Sequence, residues 1–267
     1  MREYASDSTW RSERPESHEV IRGILERRGS LNPLLEAPWV KTSIFKMDWL
    51  HAADQGISAD FAGNLLYYFE DMFPGTCRDD RCTAMMGMIQ EYYELDNVQD
   101  RLDSLKPGLY TKSTGMKLKC SAAKCRKLIP FLAKLTDELC DQTDPVENAM
   151  HKAAYHLNQV YATLSSSADN SGMKDHSIKF AAQYVALHDH FYPTDDRLFR
   201  LKPKMHLFLH LCSDGGEPAK SWCYRDEDFG GSVGKAARRR GGLLMPASTS
   251  QKIIVAMNIG TPHLQIK

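Results

Sequence analysis

Several absences narrow this sequence before any motif is considered. No apolar run in its 267 residues approaches the roughly 18 needed to cross a bilayer. The opening Met-Arg-Glu-Tyr-Ala-Ser-Asp-Ser-Thr-Trp lacks the apolar centre of a secretory leader. Net charge is absent too: 34 Lys and Arg balance 34 Asp and Glu, which argues against a uniformly basic nucleic-acid binder. No internal repeat is visible. Seven cysteines, an odd number without a secretory leader, point to free thiols in a reducing compartment, nuclear or cytoplasmic, rather than to a disulfide framework.

What remains is the composition of an ordinary soluble domain, 42% hydrophobic and 25% charged, with enough chain for one large core or two small ones. The charge is unevenly placed. Residues 60–100 hold nine acids against two bases, residues 101–135 nine bases against one acid, and residues 201–267 ten bases against five acids. Such blocks either build a basic face for a phosphate backbone or neutralise one another within the fold.

Residues 1–38 form a polar, partly disordered lead-in with a short helix expected near 19–28. Residues 42–47 alternate well enough for a short strand that delivers Asp48. Ile57, Phe61, Leu65, Tyr68 and Met72 follow the helical period, and Pro74-Gly75 stops them. Further helices are expected over 80–95, 121–139 (with Pro130 beginning, kinking or dividing it), 146–164 and 177–192. The Ser-rich stretch 165–172 is a loop, and 253–257 suits a last strand. The fold expected is predominantly α with a small β component.

Three clusters carry candidate chemistry. Asp48 and His51, three apart on a first helical turn, point the same way and can share a cation; equally, Asp48 can cap the helix while His51 packs beneath it. His206 and His210 have the i, i+4 spacing of metal ligands but no third ligand nearby, which favours packed core histidines. The stretch 222–231 sets Asp226, Glu227 and Asp228 behind Trp222 and Tyr224, with Arg238, Arg239 and Arg240 following. Acid beside base suits a metal site facing a phosphodiester, or a solvated charged loop. The pairs Cys77/Cys82 and Cys120/Cys125 invite a zinc reading, but five residues on a helix separate side chains by about 140°.

Two separated segments together resemble a known family. Lys41-Thr42-Ser43-Ile44-Phe45 leads to Asp48-Trp49-Leu50-His51; later, Lys204-Met205-His206-Leu207-Phe208-Leu209-His210-Leu211 leads through Trp222-x-Tyr224-x-x-Glu227-x-x-x-Gly231 to Arg238. In order and rough spacing, over about residues 39–240, they resemble the C-terminal part of the catalytic domain of CACTA (En/Spm-type) DNA transposases. The resemblance implies a partial RNase H-like α/β core carrying a helical insertion at about 57–200, followed by a tail at 241–267. It implies DNA cleavage and strand transfer, with Glu227 as the last metal-binding acid and Asp48 and His51 as its Asp-x-x-His motif. Carboxylate-held Mg²⁺ or Mn²⁺ would activate the attacking oxygen.

The family's first catalytic Asp has no match in this sequence, and no second acid stands out before Asp48. The expectation is therefore a transposase-derived chain, incomplete or inactive as an enzyme. DNA is its expected partner, reached through Lys117, Lys119, Lys124, Arg126, Lys127 and the Arg238–Arg240 run, with self-association open. The alternative is a non-catalytic, mostly helical module that binds DNA or a protein.

Overall fold

Helices begin where the sequence supplies caps. In the computed structural model, which describes residues 17–29, 33–37, 40–41, 46–111, 113–165, 171–213, 222–224, 227 and 230–231, Ser17 accepts a hydrogen bond from Val20 N at 3.3 Å and opens α1 (His18–Arg27). Asp80 reaches back to the backbone N–H groups of Thr76 and Cys77 to open α3 (Arg78–Leu95). Ser121 caps α5 (Ala122–Leu139). Asp144 accepts from the N–H groups of Val146 and Glu147 at the start of α6 (Pro145–Ser165). In each case a side-chain oxygen satisfies N–H groups that have no partner in the first turn. Proline, which has no N–H to lose there, begins the short α4 (Pro107–Tyr110) and α8 (Pro203–Ser213). Pro130 lies inside one continuous α5 rather than dividing it.

Between the lead-in and the helical body lies a π-helix, Leu50–Ser58, which runs directly into α2 (Ala59–Phe69). The sequence presents α2 as amphipathic. Instead it is enclosed nearly all round: Phe61, Ala62, Leu65, Leu66 and Phe69 are buried, and so are Asp60 and Asn64. Its Asn64 side chain is satisfied internally. Asn64 donates to Asp60 O at 2.7 Å and accepts from Phe199 N at 2.8 Å. An extended segment at 116–119 runs past it, with Leu118 N donating to Ala59 O at 2.8 Å. Met72, expected in the core, is half exposed because the helix ends at Phe69 and turns.

Around α2 and the π-helix pack α5, α6, α7 (Ser171–Phe191) and α8, with α6 and α7 side by side along most of their length. The centre is aromatic. Phe61 meets Phe180 edge-on at 5.4 Å, Trp49 meets Phe208 at 5.9 Å, and Tyr184 meets Phe199 at 5.7 Å. These rings come from five separate stretches of chain, so burying them ties the helices together and contributes edge-to-face attraction as well.

The predominantly helical expectation holds, and no strand occurs among the described residues. The two strand expectations fall mainly outside them: 42–45 and 253–257 are not described, while Lys46 and Met47 have irregular backbone. The chain divides into two units, Met1–Trp222 and Cys223–Lys267. In the second, Tyr224, Glu227, Gly230 and Gly231 have helical backbone, and Glu227 N donates to Cys223 O at 2.9 Å. No described helix is long and apolar enough to cross a membrane.

Candidate functional site

The π-helix carries the densest polar chemistry of the first unit. At its entrance Asp48 Oδ2 accepts from His51 N at 2.9 Å and pairs with His51 Nδ1 at 2.6 Å. One oxygen therefore satisfies the helix start and orients the imidazole. With Asp48 ionised, the ring proton sits on Nδ1 and the lone pair on Nε2. The ring is half exposed and the carboxylate largely covered. Asp48 thus caps the helix start, as one reading of the spacing expected, but His51 is half exposed rather than packed beneath it.

Widening a helix to the π form, and breaking it at Gly56 (φ −99°, ψ −105°), leaves carbonyl groups that need other donors. Lysines supply them. Lys204 Nζ donates to His51 O at 2.8 Å and Lys117 Nζ to Gln55 O at 2.5 Å. Lys202 Nζ sits 2.9 Å from Asp60 Oδ2, while Asp60 Oδ1 is buried without a hydrogen-bond partner among the described residues. Burial lowers the Lys204 pKa, and the nearby charges of Lys117 and Lys202 lower it further. Three ammonium groups from two distant parts of the chain therefore gather along the π-helix and the start of α2, with Lys204 on the His51 carbonyl.

Of the expected nucleic-acid contacts, Lys117 belongs to this cluster. Lys124 is paired with Asp103 at 2.5 Å. The Arg126 guanidinium lies over the rings of Trp222 (5.1 Å) and Tyr161 (5.8 Å) and donates to Ser165 Oγ. Lys119 and Lys127 are exposed. The basic block at 101–135 is thus partly neutralised within the fold and partly turned to solvent. Arg238, Arg239 and Arg240, with Asp226 and Asp228, lie outside the described residues. Glu227 belongs to the second unit and is exposed there. Lys202 and Lys204 escaped the sequence reading. Their only signal was a pair of lysines flanking Pro203, at the start of the segment that carries His206 and His210.

Those two histidines pair with each other, Nε2 to Nε2 at 3.0 Å, on the half-buried side of α8. All seven cysteines are thiols rather than disulfides. Cys82 is buried against the Tyr110 hydroxyl at 3.0 Å while Cys77 is exposed. The Cys120 and Cys125 thiols hydrogen-bond to each other.

A second polar cluster is self-contained. Glu70, 3% exposed, takes Arg78 Nε and Nη2 at 2.6 Å each and the Tyr110 hydroxyl at 2.6 Å. It borders a cavity of about 340 Å³ shared with Tyr67, Tyr68, Asp71 and Arg81. Two guanidinium groups face two carboxylates there, so the charges match without a ligand.

In comparisons with known proteins, no family model matches the chain, and no curated protein or solved structure matches it.

Proposed function

We propose that this chain is a transposase-derived DNA-binding domain that grips the phosphate backbone through Lys117, Lys202 and Lys204 beside Asp48 and His51. The observation that carries this reading is the gathering of three ammonium groups along the π-helix and the first turn of α2. Clustered lysines attract phosphates and release counterions from DNA. His51, held by Asp48, adds a polar ring at the same place. On this reading the helical section at about 57–200 corresponds to the insertion of an RNase H-like core.

Mg²⁺ or Mn²⁺, implied by the resemblance, fits the start of the π-helix poorly. Octahedral Mg²⁺ wants several oxygen ligands. Here one carboxylate oxygen already takes two N–H groups, the neighbouring donor is an imidazole, and the Lys204 ammonium on the His51 carbonyl opposes a dication. The activity proposed is therefore DNA binding without strand cleavage, and Glu227 as a metal-binding acid stays an implication of the resemblance.

Fluorescence anisotropy with duplex DNA over a salt series tests the reading. Binding should weaken linearly in log–log form as salt rises. Lys202→Gln with Lys204→Gln should lower the slope by about 1 for each phosphate that is no longer neutralised. Salt-independent binding, or none, would refute it. In parallel, Mg²⁺- or Mn²⁺-dependent nicking that disappears in Glu227→Ala would replace DNA binding with catalysis as the activity.

A further inference from the structure

Far along the helical body from the Asp48/His51 pair in sequence, two other histidines face each other. His156 on α6 and His176 on α7 bring their Nδ1 atoms to 3.0 Å, with ring centroids 5.2 Å apart and planes tilted by 44°. Tyr155 packs edge-on against both rings, at 5.2 and 6.2 Å, and walls one side. Both imidazoles are half-buried. The charged groups around them are Lys152 on α6 and Asp175 and Lys179 on α7. Asp175 is exposed, pairs with Lys179 at 2.7 Å, and acts electrostatically on both rings.

We propose that His156 and His176 form the imidazole pair of a transition-metal site that joins α6 to α7 and takes Cu²⁺ or Ni²⁺ in preference to Mg²⁺.

The spacing supports the ligand class. At metal–nitrogen distances of about 2.0–2.1 Å, two nitrogens 3.0 Å apart subtend roughly 90°, whereas tetrahedral ligation would hold them at about 3.3 Å. The hydrogen-bonded pair thus already lies near the spacing of cis ligands of a tetragonal or octahedral ion, and imidazole donors select Cu²⁺ and Ni²⁺ over hard cations. In the metal-free pair one Nδ1–H donates to the other Nδ1. Ligation needs that ring to carry its proton on Nε2 instead, with no net proton released. Burial, followed by the positive charges of His176, Lys179 and Lys152, lowers the His156 pKa, which keeps the ring in the neutral form that ligates. The Asp175 carboxylate, within electrostatic range of both rings, offsets part of the repulsion from the two lysines.

The test uses the untagged, full-length chain stripped of metal. Calorimetric titration with Cu²⁺ should show a site weakened at least tenfold in His176→Ala and in His156→Gln, and less in Asp175→Asn. Electron paramagnetic resonance should show two coordinating imidazoles in the wild type and one in His176→Ala. Thermal unfolding should shift upward with Ni²⁺ in the wild type and not in His176→Ala. Because His206 and His210 are also paired, His206→Ala serves as the control and should retain the site. Unchanged affinity in the His156→Gln/His176→Ala double variant, or loss in His206→Ala instead, overturns the proposal. Circular dichroism confirms that each variant is folded.

Discussion

The hydroxyl of Tyr161 meets the carboxylate of Asp54 at 2.5 Å, although 107 residues separate them in sequence. Asp54 is fully buried on the π-helix. The same Oδ1 accepts from Trp49 Nε1 at 3.2 Å, and Ser58 Oγ lies 2.7 Å from the Tyr161 hydroxyl. Burial, followed by the charge of Asp54, pushes the Tyr161 pKa well above its ordinary value, so the phenol stays a donor at every pH the fold survives. The contact ties α6 to the segment that presents the lysine cluster. Tyr161→Phe removes the donor and leaves a buried carboxylate short of one partner. The expected loss is about 1–3 kcal/mol, seen in urea unfolding as a lower midpoint with an unchanged slope. A midpoint equal to wild type would show that the contact contributes nothing.

Glu70 gives the chain a specific acid sensitivity. Burial alone would raise its pKa, but hydrogen bonds from Arg78 and Tyr110 outweigh that and hold it below the ordinary carboxylate value. A folded-state pKa below the unfolded one means the unfolded chain binds the proton more tightly. The stabilisation is therefore full above the unfolded pKa of about 4.3 and is lost as pH falls through the lower folded value. Glu70→Gln should be less stable at pH 7 by about 1–3 kcal/mol and should lose less of its remaining stability on acidification below about pH 4.3. Parallel acid limbs for wild type and variant, measured by urea unfolding at stepped pH, would contradict this.

Two glycines should respond to alanine with opposite signs. A Cβ on Gly56 would lie 2.9 Å from His51 O and 3.0 Å from Lys204 Cδ, against the hydrogen bond that holds Lys204 to the π-helix. Gly56→Ala should cost about 1–3 kcal/mol through overpacking and, on the proposed function, should weaken DNA binding along with stability. Gly87, inside α3, has nothing within 4 Å of the added atom. Gly87→Ala should stabilise by about 0.5–1 kcal/mol through helix propensity alone. Paired thermal and urea unfolding distinguishes them, and equal signs would contradict the close approach at Gly56.

Periodicity made α3, α5, α6 and α7 legible because each keeps one face in water, which leaves an apolar stripe to read. It misread α2, since a helix enclosed all round has no polar face, and Asp60 and Asn64 are buried there against distant partners, Lys202 and the Phe199 N–H. Asp48 and His51 could be paired from their spacing. The contacts that complete the site could not: Lys117 and Lys204 reach the π-helix from 62 and 153 residues away. His156 and His176 lie on different helices, so no helical spacing connects them. Long-range convergence leaves no trace in local pattern, and it is what builds both the lysine cluster and the histidine pair.

Cys120 and Cys140 are both partly buried, yet they should differ sharply as nucleophiles. The thiolate is the reactive form, so reactivity at a given pH follows the thiol pKa and access. The hydrogen bond from Cys125 lowers the Cys120 pKa, and the charge of Lys124 lowers it further against the opposing effect of burial. Its buried partner Cys125 moves the other way, well above the ordinary value. The Cys140 thiol is pushed up to about 12, by burial first and then by the charge of Glu147. At neutral pH, iodoacetamide should therefore modify Cys120 well before Cys140, while Cys125, Cys82 and Cys212 stay protected by burial. Cys125→Ala should slow labelling at Cys120 because it removes the hydrogen-bond donor that stabilises the Cys120 thiolate, and the rate difference between Cys120 and Cys140 should narrow. Peptide mapping by mass spectrometry over a time course reads each site separately. Equal rates at Cys120 and Cys140, or faster modification of Cys140, would show that the paired thiol does not activate its neighbour.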